Sequence, residues 1–87
     1  MELCRFYGLI IHMLFEDNER HSKPHIHVFY SGKRVSIAFD GKVLAGSLPP
    51  KALRMLRVWI DMREQELNEA WEKAVQGKHF EKIKPLE

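Results

Sequence analysis

Apolar residues recur at every second position from Phe6 to Phe15. Tyr7, Leu9, Ile11, Met13 and Phe15 form one wholly apolar face, and Phe6, Gly8, Ile10, His12 and Leu14 form a mixed one. A period of two predicts a β-strand, here a central one with one face deeply buried and the other partly covered. The stretch Glu16–Lys23 is entirely polar, which predicts an exposed, mobile loop. His25 to Tyr30 reads as a second strand, with Pro24 at its entry because proline cannot donate a ladder hydrogen bond. Ser31-Gly32 supplies a turn. Val35, Ile37 and Phe39 alternate with Arg34, Ser36 and Ala38 in a third strand. Asp40-Gly41 is a hairpin signal, and Lys42 to Ala45 makes a short fourth strand. Short connections favour neighbouring strands, so the expected sheet is a four-stranded antiparallel meander.

The period changes after Gly46-Ser47-Leu48-Pro49-Pro50. Leu53, Leu56 and Ile60 form a helical stripe widened by Ala52 and Trp59, and Leu67, Ala70, Trp71, Ala74 and Val75 continue it. Ser47 or Leu48 is the expected cap, with proline tolerated in the first turn. A straight helix from there to Gln76 would run about 40 Å at ~1.5 Å per residue, longer than a small domain. A kink or short turn is therefore expected near Met62–Glu66, which gives two helical segments on one face of the sheet. Gly77 is a stop signal. Phe80, Ile83 and Leu86 give the tail enough apolar surface to dock back. The expected organisation is a single α+β domain: sheet over 4–46, helical part over 48–76 and docking tail over 77–87.

Composition narrows the picture. A chain of 87 residues builds one modest core. Its formal net charge is +2 and its basic residues form no long run, so composition alone does not announce nucleic-acid binding. A single cysteine, Cys4, excludes an internal disulfide and points to a reducing compartment. No stretch approaches the roughly 18 apolar residues of a membrane span, and no signal-peptide pattern is present. The expectation is a soluble cytoplasmic domain that does not engage membranes.

Candidate chemistry concentrates at Pro24-His25-Ile26-His27-Val28. Side chains two apart on a strand share a face, so His25 and His27 project together. They suit acid–base chemistry, or contact with phosphate or RNA bases. They also suit a metal, with His21, His12, Asp17 or Glu19 completing the ligands. A purely structural role is equally consistent, as half-exposed strand histidines that form hydrogen bonds. Lys33, Arg34 and Lys42 either frame an anionic site or solvate a turn. Lys51, Arg54, Arg57 and Arg63 lie off the apolar stripe, where a solvated helix face competes with phosphate binding. Trp59 and Trp71 fall in the core stripe. Cys4 reads as an inert, semi-buried thiol.

In its order of segments the chain resembles a small bacterial and archaeal family, the domain of unknown function DUF4160. The segments are the apolar first strand, the polar loop, Pro24-His25-Ile26-His27-Val28, the Asp40-Gly41 hairpin, Leu44-Ala45-Gly46-Ser47-Leu48-Pro49, the helix with Leu53, Trp59, Leu67 and Trp71, and the ending Ile83-Lys84-Pro85-Leu86. Lys23 stands where the family has a first proline. The resemblance implies the toxin-like member of a type II toxin–antitoxin pair, with a small antitoxin as partner and with His25 and His27 as the motif positions. The resemblance names no reaction or target. If the chain is catalytic, the two imidazoles beside basic residues point to ribonuclease-type chemistry on RNA, with His25 or His27 as the acid–base group and Arg34 stabilising a phosphoryl transition state. A non-enzymatic interaction module and a small metal-binding domain are the other expectations. No cofactor is implied. Phe6, Ile10, His12 and Leu14 on the second sheet face suggest a protein partner or a homodimer.

Overall fold

The computed structural model describes residues 2–13 and 23–86. The end of the expected first strand and most of the polar loop, with Asp17, Glu19 and His21, lie outside the described residues. The architecture is α+β: an antiparallel sheet of five strands, then two helices. The strands are β1 (Glu2–Phe6), β2 (Leu9–His12), β3 (His25–Tyr30), β4 (Lys33–Ala38) and β5 (Val43–Gly46), and their order in the sheet is their order in the chain.

The expected first strand is a hairpin, which raises the strand number from four to five. Phe6 pairs with Leu9 across a two-residue turn, Tyr7-Gly8. Both turn residues have positive φ, 49° and 83°. That is the type I′ geometry, whose twist matches the strands it joins. The same turn recurs at Ser31-Gly32, with φ of 47° and 78°, between the paired Tyr30 and Lys33. There the residue types announce it. At Tyr7 an aromatic residue takes the left-handed conformation, so the alternation reads straight through the turn.

Register assigns the two faces. Leu9 and Ile11 of β2, Ile26 and Val28 of β3, and Val35 and Ile37 of β4 are opposed across the strands and at most 1% exposed. With Cys4 and Phe6 of β1 they form the core face. The helices α1 (Pro50–Met62) and α2 (Glu64–Val75) supply Ala52, Leu56, Trp59, Ile60, Leu67, Ala70 and Ala74 to the same core. The Trp59 ring lies 5.7 Å from that of Phe6.

The α1 start differs from the expected Ser47 or Leu48 cap. Pro49 is the residue before the helix, with φ −57° and ψ 147°, and no side chain caps it. A residue before proline is pushed out of the helical region, so two successive prolines delay the helix to Pro50. There the missing N–H costs nothing. The expected break falls at Arg63 (φ −112°, ψ 20°), which closes α1 by donating to the Trp59 carbonyl and opens α2 by accepting from Leu67. After α2, Gly77 (φ 72°) forms a Schellman ending: its N–H donates to the Ala74 carbonyl and that of Lys78 to the Lys73 carbonyl. The tail then returns to β1. Phe80 and Ile83 are buried, and the Ile83 N–H donates to the Leu3 carbonyl at 3.1 Å.

Candidate functional site on the sheet

The face opposite the core carries the candidate residues. His12 of β2, His27 of β3 and Ser36 of β4 lie side by side on one rung. Directly opposed residues have Cα atoms about 4.5–5.5 Å apart. The next rung holds Ile10, Phe29 and Arg34, and the rung on the other side holds His25 and Ala38. Exposure falls along this face: Arg34 is exposed, His12, Phe29 and Ser36 are part-exposed, and His25 and His27 are only 6% and 8% exposed.

The two motif histidines therefore share a face, but they are buried rather than half-exposed. Their rings are 5.2 Å apart and close to perpendicular. His25 Nδ1 lies 2.8 Å from the Lys23 carbonyl. A carbonyl only accepts, so Nδ1 carries the proton, and in the neutral ring Nε2 keeps its lone pair. His27 Nδ1 is 3.2 Å from the Ser36 hydroxyl. Trp71 of α2 packs on His25 at 5.4 Å and on Phe39 at 6.1 Å. Phe39 donates its N–H to the Pro24 carbonyl, so this indole caps the open end of the β3–β4 hairpin. The periodicity places Trp71 with the core leucines; its contact with the motif histidine joins segments 46 residues apart and has no signal in the sequence.

Arg34 stands one rung from His27, on the same face. Its guanidinium lies 6.0 Å from the centre of the Phe29 ring, a cation–π arrangement. The Phe29 ring also meets the edge of His12 at 5.3 Å. The face thus holds two nearly perpendicular aromatic rings and a guanidinium beside a buried pair of imidazoles. Among the described residues, no three His, Cys, Asp or Glu side chains come together in a way that could hold a metal ion.

The chain belongs to the DUF4160 family. Its family model, described as Domain of unknown function (DUF4160), matches residues 8–72. Searches of curated proteins and of solved structures give no significant match. The matched DUF4160 region holds β2 to β5, α1 and most of α2, and with them every residue of the histidine cluster. It leaves out β1 and the tail.

Other polar groups serve the frame. Lys23 pairs with Asp40 at 2.6 Å, and Asp40 also accepts the Lys42 N–H. These contacts hold the Asp40 carboxyl below the usual range. Arg5 donates twice to Glu2, which lowers the Glu2 carboxyl in the same way. Arg57, expected on a solvated face, donates through Nε to the Gly41 carbonyl and so ties the β4–β5 turn to α1. A cavity of about 560 Å³ lies there, lined among others by Phe39, Lys42, Arg57 and Glu64, with charges of both signs. It shares none of the residues of the histidine cluster. Burial pushes the Cys4 thiol up to about 11, which leaves it protonated and inert at neutral pH. Among the described residues, no helix is long and apolar enough to cross a membrane.

Proposed function

We propose that this chain is the toxin-like member of a two-gene pair, that it acts on RNA through the sheet face of His12, His27, Phe29, Arg34 and Ser36, and that a small protein antitoxin neutralises it by covering that face. The observation that carries the reading is the Phe29–His12–Arg34 surface. Proteins hold unstacked RNA bases on flat aromatic side chains and neutralise the adjacent phosphates with Arg or Lys. In this account Phe29 and His12 are the stacking planes, and Arg34 meets the phosphate. His27, held through Nδ1 by Ser36, is the acid–base group, and RNA binding has to uncover its enclosed Nε2. His25, tied to Lys23 and packed under Trp71, is a positioning residue. Its proton-bearing nitrogen is occupied by a main-chain carbonyl, and its ring is covered.

The test is binding of a fluorescein-labelled single-stranded RNA by the wild type and by Phe29→Ala/Arg34→Ala, followed by anisotropy. Stacking is worth about 1–3 kcal/mol per base, so the variant is expected to bind at least ~10-fold more weakly. Equal affinity would refute the reading.

One observation favours a non-enzymatic interaction module instead. Val58 and Met62, one turn apart on α1, are 52% and 51% exposed. An antitoxin-independent partner held there would be lost in Val58→Ser/Met62→Ser and kept in Phe29→Ala/Arg34→Ala.

A further inference from the structure

The C-terminal tail lies outside the family-matched region, yet it fills part of a groove floored by the core. Residues 78–86 have no regular secondary structure. They are held as a bound peptide would be. Phe80 and Ile83, three apart, bury their side chains. The Ile83 N–H donates to Leu3 of β1, Trp59 Nε1 donates to the Lys84 carbonyl at 2.7 Å, and Arg63 Nη2 donates to the Pro85 carbonyl at 3.3 Å. In all three hydrogen bonds the tail supplies a backbone atom, and any extended chain offers those.

The fit is incomplete in two respects. A cavity of about 360 Å³ remains between the tail and α2, bordered by Arg63, Glu66, Ala70, Lys73, Phe80 and Lys82. The Nε of Arg63 is enclosed and makes no hydrogen bond among the described residues. An enclosed donor without an acceptor is costly. Finally, β1 is an edge strand, and an edge is where an extended segment adds on by main-chain hydrogen bonds.

We infer that the tail is a releasable strap over a peptide-binding groove, and that the groove takes an extended segment of a partner protein. The segment carries two apolar side chains three residues apart, and an acidic side chain or main-chain carbonyl that accepts from Arg63 Nε. The tail competes from within the molecule at an effective concentration on the order of mM. A partner segment therefore takes the groove when it fills the cavity that the tail leaves open. The inference stands apart from the RNA-facing surface and survives its failure.

The probe is a fluorescent synthetic peptide of residues 78–86, titrated into the full-length wild type and into full-length Phe80→Ala/Ile83→Ala. The wild-type groove is closed by its own strap, so the variant is expected to bind the peptide at least ~10-fold more tightly. Adding Trp59→Phe to the variant is expected to weaken that binding. A variant that keeps its near-ultraviolet circular dichroism but binds no more tightly than the wild type would overturn the inference. A concentration-dependent dimer of the variant without peptide uptake would also overturn it, because a second copy would then own the groove. Hydrogen exchange on the unaltered wild type covers the case in which the variant does not fold. The Ile83 amide is expected to exchange at least ~100-fold faster than that of Val28, since a strap opens locally. Equal rates would make the tail part of the global core and overturn the inference.

Discussion

Replacing Trp59 by Phe removes one hydrogen bond and a part of one ring, and its cost can be worked out from the structure. Trp59 is fully buried in α1, beside Phe6, and its indole N–H reaches the Lys84 carbonyl at 2.7 Å. A net hydrogen bond is worth about 0.5–1.5 kcal/mol. The space vacated by the smaller ring adds a cavity cost of about 1 kcal/mol. The sum is about 2 kcal/mol. A chain of this length has roughly 4–13 kcal/mol in all, at about 0.05–0.15 per residue, so the loss is a substantial share. The midpoint of thermal unfolding should fall by roughly 8–16 °C, at about 4–8 °C per kcal/mol for a domain of this size. Urea unfolding followed by circular dichroism measures the change directly. The tail should also loosen, which limited proteolysis after Lys82 or Lys84 would detect. A stability loss under about 0.5 kcal/mol with an unchanged tail would refute the reasoning, because the indole would then hold neither core nor strap.

Gly46→Ala should be far more damaging than Gly32→Ala. A methyl at Gly46 (φ 79°) would overlap the Arg34 carbonyl, whereas one at Gly32 (φ 78°) has nothing within 4 Å and pays only the left-handed cost of about 1–2 kcal/mol; thermal unfolding ranks the two. His25→Ala should cost about 2–3 kcal/mol, through the lost bond to Lys23 and the lost packing on Trp71, while Arg34→Ala stays within about 0.5 kcal/mol, as is usual for an exposed position. Equal effects in urea titrations would contradict the assigned burial. Cys4 should resist thiol reagents at neutral pH until the chain unfolds. Its raised folded pKa means that the folded state holds the thiol proton more tightly than the unfolded state. Stability should therefore fall as pH rises from about 9 to about 11, and Cys4→Ala should remove that slope.

The parts of the fold that could be read from the sequence are those set by local rules. Period-two alternation marked β3 and β4, and Ser31-Gly32 and Asp40-Gly41 marked their turns. The helix break was expected near Met62–Glu66 from length alone, and it falls at Arg63. The β1–β2 hairpin was missed because Tyr7 sits where Asn, Asp or Gly usually would; Gly8 inside an apolar run was the available signal. At the site, the shared face of His25 and His27 follows from strand geometry. The covering of His25 does not, because Trp71 reaches it from α2. The alignment of His12, His27 and Ser36 depends on strand register, which no single segment encodes. In the sequence Arg63 lies off the apolar stripe, where a surface cation would. Its place between the helices, bonded to Pro85, follows from the tail's return to β1.

Growth after tight induction in a bacterial host tests the central claim most directly. Wild type is compared with Phe29→Ala/Arg34→Ala and with His27→Ala, folding is checked by circular dichroism, and total RNA is examined at arrest. The account predicts arrest and RNA loss with wild type, and neither with the folded variants. Arrest by all three proteins alike, or by none of them, would contradict it.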